Sequence, residues 1–359
     1  MRPDHAVQIG VDDRDNPETI RLKKYATGAH LLIEKDPVQT GRTPKEIVWT
    51  KNKARLYRYE PDREKKHPVP VLLVYALILR PYILDLVPDN SLVEHLVGEG
   101  FDVYMLDWGI PGDEDRHLSF EHLVLDYLPR AVRKVLRASG AKDLTLFGYC
   151  QGGTISAMYA SLFPEGPLRN LVLLATPVGF ASEDAGVFKP FTSERFFDPD
   201  PVVEAFGNVP ATDLFGTGRR VPGAADHPGG ETPHLKREAF TDSFLAASEW
   251  VDDGVPFPGE AFRSWVLDFY RHDRLARGEL ELRGRRVELS NIHVPVLNVA
   301  GREDLICPLP QAEAAMDLLG TPDKELLVLS AGHVGLMAGP VARREFWPHL
   351  AGWLGQRAA

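Results

Sequence analysis

The chain has 359 residues, 44% hydrophobic and 26% charged. That is the balance of an ordinary globular protein, long enough for one large core with an insertion or for two modest domains. A net charge of −10 and a pI near 5.7 argue against a broad phosphate-binding surface, so nucleic acid is not an expected partner. The opening residues hold no apolar leader segment, and the longest uncharged apolar run, Val69 to Leu79, is too short for a bilayer. A cytoplasmic protein, not integral to a membrane, is the expectation.

In chain order, the opening segment through residue 42 reads as an arm, helix-prone over Pro17 to Lys35. Ile47 to Trp49 and Ala54 to Tyr59 read as two short strands. Val69 to Tyr75 is a continuous apolar run of strand length, the pattern of a parallel strand buried on both faces. Asn90 to Gly100 fits a helix closed by Gly100, Asp102 to Leu106 a strand, Phe120 to Ser139 an amphipathic helix, and Leu144 to Phe147 another strand. Strands separated by helices of this length predict a right-handed parallel sheet. Leu171 to Leu174 continues the alternation, which then stops until Val294 to Val299 and Glu325 to Leu329 resume it. The core is therefore assigned to 43–177 and 292–359, with 178–291 inserted as a cap. The cap includes a helix over Pro258 to Arg271 and a Gly/Pro-rich loop over 216–233, where mobility is expected. Trp347 to Leu354, apolar at helical spacing, reads as a final helix packed on the sheet.

The densest chemical signal is Gly148-Tyr149-Cys150-Gln151-Gly152-Gly153, which follows the Leu144 strand and precedes a helix over Thr154 to Leu162. A G-x-C-x-G turn between strand and helix is the frame of a nucleophile elbow. Small residues are needed two positions either side because strand and helix nearly collide there. The pattern predicts an α/β fold of the α/β-hydrolase type, mostly parallel with helices on both faces. Cys150 is then the candidate nucleophile, placed at a helix N-terminus that favours an anion, with the Gln151 amide facing a developing oxyanion. As a free cysteine without context it reads as a buried small hydrophobe, the reading retained for Cys307. Only two cysteines occur, too few for a disulfide scaffold or a structural zinc site, and no paired Cys/His spacing suggests a metal.

In this fold the order is nucleophile, acid, histidine. Gly301-Arg302-Glu303-Asp304 follows the Val294 strand, and Gly332-His333-Val334-Gly335 follows the Glu325 strand. Of the 12 histidines only His333 sits in a glycine-framed loop at that place, while Glu303 and Asp304 compete for the acid. His333 would draw the proton from Cys150, and the acid would fix its tautomer. A second oxyanion amide is expected near Leu77 or Ile78, after the Val69 strand. A thiolate that attacks a thioester keeps the acyl group activated, which hints at a transferase acting on acyl-CoA behind a cap that excludes water.

Several further residues carry a functional and a structural reading. Trp108, Tyr149 and Tyr127 are candidates for contact with the acyl chain, with core packing as the plain reading for the aromatic pair Trp108 and Tyr127. Arg283 to Arg286 is a candidate CoA phosphate contact against a solvated turn. Asp85 and Asp107 read as capping or buried hydrogen-bonding groups.

The run Val74-Tyr-Ala-Leu-Ile-Leu-Arg-Pro-Tyr-Ile-Leu-Asp-Leu86, with Ser91-Leu-Val93, Gly100 through Pro111, GYCQGGT and Ala175-Thr-Pro-Val178, resembles the polyhydroxyalkanoate synthases. The likeness is greatest to the short catalytic subunit of the class III type. It continues through Gly207-Asn-Val-Pro210, Glu249-Trp250, Asp268-Phe-Tyr270 and Gly284-Arg-Arg-Val287, and covers Thr43 to Leu354. The resemblance implies polymerisation of (R)-3-hydroxyacyl-CoA into polyester with release of CoA, acyl-CoA being substrate and no cofactor being needed. It implies Cys150 as acyl carrier, His333 as its activator and Asp304, rather than Glu303, as the acid that supports deprotonation of the 3-hydroxyl. It also implies a homodimer, a separate accessory subunit and a place at the surface of polymer granules. The chain departs from the family pattern at Leu79, where Asn is usual, and at Leu305, where His is common after the aspartate. The alternatives are a cysteine thioesterase or esterase of the same fold, or a non-catalytic granule-associated homologue.

Overall fold

Eight strands form one sheet: β1 Lys45–Lys51, β2 Ala54–Tyr59, β3 Val71–Val74, β4 Val103–Asp107, β5 Leu144–Tyr149, β6 Leu168–Leu174, β7 Val296–Gly301 and β8 Lys324–Leu329. Their spatial order is β1-β2-β4-β3-β5-β6-β7-β8. This is a computed structural model, and it describes residues 38–60, 62–181, 185–211 and 234–358, excluding the side chains of 234–241 and 244. The expected arm helix over Pro17 to Lys35 and the loop at 216–233 lie outside the described residues. β1, β2 and β4 pair antiparallel, and every later pairing is parallel.

The parallel strands are fully buried from end to end in β3, β4, β5 and β7, as their unbroken apolar runs require. Successive residues face opposite sides. The first α-helix among the described residues is α1 Leu92–Glu99, and Leu146 packs in one cluster with Leu128 and Ile155, from the helices α2 Leu128–Ser139 and α3 Gln151–Leu162. Its neighbour Phe147 meets Phe346 at a ring distance of 6.4 Å, beside the terminal helix Trp347–Gln356. Val74 stands opposite both Leu106 and Gly148, and Leu174 opposite Tyr149 and Val299. The strands therefore end level, and the turns after β3, β5 and β7 converge on one edge.

Differences from the sequence reading lie at element ends. The helix expected from Asn90 begins at Leu92, capped by the Ser91 hydroxyl, which accepts the Glu94 N–H at 2.9 Å. Asn90–Ser91 is instead drawn into a small antiparallel ribbon with Asp85–Val87. The helix from Phe120 contains a π-helical stretch, Leu123–Tyr127, before α2. β6 starts three residues earlier than its apolar run, and Asn170 is accommodated because its side-chain amide donates to the Thr145 hydroxyl at 2.9 Å.

The segment inserted between β6 and β7 contains the helices Pro199–Phe206, His234–Asp252 and Gly259–Ser264 and the π-helical Trp265–Arg271. Phe180, Phe257, Phe262, Trp265 and Phe269 belong to the same hydrophobic cluster as Leu128 and Ile155. From residue 39 onward the described chain forms one compact unit, so the insertion shares its core with the sheet. Arg283 to Arg286 forms a hairpin whose guanidiniums are engaged locally. Arg285 donates to the Leu162 carbonyl, Arg286 bonds the Gly278 carbonyl and Arg283 lies near Glu121.

Asp85, 3% exposed, accepts the Thr43 hydroxyl at 2.6 Å, the Thr43 N–H at 3.2 Å and the Ser91 hydroxyl at 2.8 Å. It thereby joins the chain ahead of β1 to the cap of the Leu92 helix. Asp85→Ala strands these donors, and a stability loss of about 2–4 kcal/mol is expected from denaturant unfolding, with partial recovery in Asp85→Asn.

Candidate active site

Cys150 lies between β5 and α3 with φ 53° and ψ −126°, a backbone region that side chains with a Cβ rarely adopt. Its N–H is held by the Leu174 carbonyl at 2.9 Å, and its own carbonyl accepts from Gly153 and Thr154 at 2.9 and 3.2 Å. The flanking glycines are sterically required. A Cβ at Gly148 would stand 2.4 Å from the Gly153 Cα, and one at Gly152 would stand 2.1 Å from the Val74 carbonyl oxygen. Strand, strained residue and helix therefore meet as the G-x-C-x-G pattern predicts. The Gln151 N–H is the first of α3 and, unlike those of Gly153 and Thr154, has no intrahelical acceptor.

The turns after β7 and β8 bring Asp304 and His333 together. Asp304 Oδ2 meets His333 Nδ1 at 2.7 Å. Its other oxygen accepts the Ile306 and Cys307 N–H groups, each at 2.8 Å, so the carboxylate is anchored on both sides. Glu303 is exposed, which separates the two acids that sequence left in competition. Burial alone would lower the His333 pKa. The charges of Asp304 and Cys150 and the hydrogen bonds to both residues together outweigh it and raise the pKa to about 10. Nδ1 being taken by Asp304, Nε2 is the nitrogen left for the Cys150 sulfur. Cys150, Asp304 and His333 are 8%, 3% and 6% exposed.

Two supports were not legible in the sequence. The Tyr149 ring packs 5.0 Å from the His333 ring, and its hydroxyl donates to the His333 carbonyl at 3.4 Å. Tyr149 is thus placed behind the histidine, 2% exposed, and not on an open acyl-binding surface. Cys307 is 1% exposed, with burial and then Asp304 pushing its thiol pKa well up, and its backbone cradles the acid.

The oxyanion loop differs from expectation at Leu77. Its N–H donates to the Gln151 side-chain oxygen at 3.2 Å and is not directed at Cys150, because Gln151 turns its amide group back across the elbow. Ile78 is buried, and its carbonyl receives the Val255 N–H at 2.9 Å. Trp108 donates from Nε1 to the Tyr75 carbonyl at 2.9 Å and lines a small recess with Ala76, Leu77, Leu79 and Arg80. Tyr127 packs in the core with its hydroxyl accepting from Asn52 at 2.7 Å. Leu305 is exposed at 49%.

Comparison with known proteins follows the same lines. The α/β hydrolase fold family matches residues 69–340, and the poly-beta-hydroxybutyrate polymerase (PhaC) N-terminus matches 34–96. The poly(3-hydroxyalkanoate) polymerase subunit PhaC of Allochromatium vinosum is 32% identical over 99% of this chain and 99% of its own length. The chain belongs to the PhaC polymerase family. The subunit of Synechocystis sp. is 33% identical over 98% of this chain and 95% of its own. That of Haloferax mediterranei is 37% identical over 89% of this chain, which spans 65% of that longer protein. Among solved structures, the monoacylglycerol lipase of Paleococcus ferrophilus superposes with a TM-score of 0.52 at 22% identity, covering 84% of this chain and 99% of that one. A bacterial membrane phospholipase A gives 0.51 at 17%, covering 95% and 92%. These share the fold. Within the PhaC family fold, the chain presents the cysteine elbow and the Asp304–His333 pair on a single sheet edge.

Two outcomes follow from this geometry. His333 titrates higher folded than unfolded, so its pairing contributes stability that is full below about pH 6.5 and is lost as pH rises through about 10. Asp304→Asn should bring the His333 midpoint down by about 1–3 on the pH scale in a histidine NMR titration, with a matching loss of alkaline slope in stability. Gly152→Ala should cost about 3 kcal/mol or more, or prevent folding, read as soluble yield and Tm.

Proposed function

We propose that this chain is a poly(3-hydroxyalkanoate) polymerase subunit that transfers (R)-3-hydroxyacyl groups from CoA to a growing polyester through an acyl-Cys150 intermediate. The observation that carries the reading is the Cys150 elbow joined to a His333–Asp304 pair at 2.7 Å. Family membership narrows the substrate: the relatives are named as poly(3-hydroxyalkanoate) polymerase subunits.

In the first half-reaction the Cys150 thiolate adds to the thioester carbonyl. The intermediate collapses as CoA leaves, and CoA takes the proton that His333 holds. In the second, His333 accepts the proton of an attacking 3-hydroxyl, with Asp304 supporting that deprotonation. The oxygen–carbonyl bond forms, and the sulfur of Cys150 departs as thiolate. Asp304 holds the imidazole in one tautomer and offsets the charge on it. One thioester is consumed and one ester formed for each CoA released.

Burial of all three groups supports transfer over hydrolysis, since water is kept from the acyl-cysteine. Tyr270, from the insertion, lies within electrostatic reach of Cys150 and Asp304, so acyl-CoA reaches the sulfur when this cover moves. Exposed Val187, Phe196, Phe206 and Leu305 support contact with a hydrophobic polymer surface, and no described helix is long and apolar enough to cross a membrane. A homodimer, and an accessory subunit of the class III type, complete the proposed assembly.

Incubation with (R)-3-hydroxybutyryl-CoA, with and without a candidate accessory subunit, should release CoA and yield polyester. Cys150→Ala should lower the rate by about 10⁴-fold or more. Free hydroxy acid as the sole product would assign the chain to the thioesterases instead.

A further inference from the structure

Two backbone amides border the Cys150 elbow, and one of them is already engaged. The Gln151 N–H heads α3, while the Leu77 N–H is occupied by the Gln151 side chain at 3.2 Å. Nearby, the Tyr75 hydroxyl is buried and has no hydrogen-bond partner among the described residues, in a side chain 1% exposed. A buried hydroxyl left without a partner costs about 1–3 kcal/mol, which is expected to persist where function uses the group.

We propose that the Tyr75 hydroxyl is the second oxyanion donor of the Cys150 site. This rests on Cys150 as the acyl-accepting nucleophile. Tyr75 directly follows β3, and β3 pairs with β5 so that Val74 stands opposite Gly148. The Tyr75 ring stacks on Tyr149 at 5.2 Å and 19°, the same Tyr149 that backs His333. Its carbonyl is tied to Trp108 Nε1 at 2.9 Å. The missing Cβ of Gly152 lets the backbone at Val74 and Tyr75 approach α3. The phenol is therefore held from its ring, its backbone and the elbow together, as a preorganised donor requires. Burial, and then the charge at Cys150, push its pKa well above the ordinary value, so it stays protonated and able to donate. Tyr270 also has a hydroxyl without a hydrogen-bond partner among the described residues, but Cys307 is its strongest electrostatic neighbour after burial and Gln311 lies beside it.

When the Cys150 sulfur bonds to the thioester carbon, the carbonyl π pair moves to oxygen. That oxygen takes hydrogen bonds from Gln151 N–H and Tyr75 O–H, with no proton transferred. Collapse re-forms the C=O bond and breaks the bond to the CoA sulfur.

The test compares Tyr75→Phe with the unaltered chain in two reactions of Cys150, each followed by mass spectrometry. One is acylation by a small thioester, which develops an oxyanion; the other is alkylation by iodoacetamide, which does not. Acylation should slow by about 10²–10³-fold, with alkylation within about threefold. Tm should hold or rise, because the lost hydroxyl has no hydrogen-bond partner among the described residues. Acylation within about threefold of the unaltered chain, or a parallel fall in alkylation, would overturn the proposal. An unaltered chain that is acylated yet makes no polyester would remove the polymerase reading and leave this one standing. A chain that no thioester acylates would remove both.

Discussion

The close approach of α3 to β5 at Gly148 and to the end of β3 at Gly152 sets the terms for everything at the reactive edge. Gly148 and Gly152 allow an approach in which any Cβ would meet backbone at 2.1–2.4 Å. That approach forces Cys150 into its strained conformation and lifts it above the strand ends. The strain is held by bonds from Cys150 to Leu174, Gly153 and Thr154, so the cost is spread through the buried sheet. The same approach brings Gln151 against the loop after β3, where its side chain takes the Leu77 amide. One steric constraint thus places Cys150, leaves the first amide of α3 without an intrahelical acceptor and engages the Leu77 amide.

The acid–base pair depends on the level strand ends in a different way. β7 and β8 end opposite one another at Gly301 and Leu329, so the two following turns are neighbours despite a separation of 29 residues between Asp304 and His333. Asp304 would be an expensive buried charge if alone. Two backbone amides and the imidazole satisfy it, and the raised pKa of His333 expresses the same interaction from the other partner. The family commonly has a histidine where Leu305 stands, but Leu305 points outward and is half exposed. The change leaves the Asp304–His333 contact intact and alters the rim of the site instead.

The strands of the sheet, the turn at Cys150 and the loop of His333 were legible because each rests on local pattern, whereas only the family resemblance set Asp304 apart from Glu303. Unbroken apolar runs mark strands buried on both faces, and glycine spacing marks the elbow. What escaped depends on partners distant in sequence. Arg169 and Asn170 break the apolar run of β6, and only the Thr145 hydroxyl across the sheet makes Asn170 acceptable there. Asn90 and Ser91 look like the start of a helix until Asp85–Val87 pairs with them. Leu77 was a sound choice of oxyanion amide by topology. A side chain 74 positions later takes that amide, and no local reading of either segment reveals it.

The aromatic residues show how packing and chemistry share the same atoms. Trp108 and Tyr149, read from sequence as substrate contacts, also hold neighbouring groups in place: one bonds the Tyr75 carbonyl and the other the His333 carbonyl. Tyr75 lies between them, stacked on Tyr149 and anchored through Trp108. Its hydroxyl is the polar atom of this group with no partner among the described residues. A core selected only for stability gains from replacing such a tyrosine with phenylalanine, which fills nearly the same volume without the unsatisfied oxygen. For a buried hydroxyl within electrostatic reach of Cys150, the proposed reaction supplies a partner in the charge that develops as the thioester is attacked.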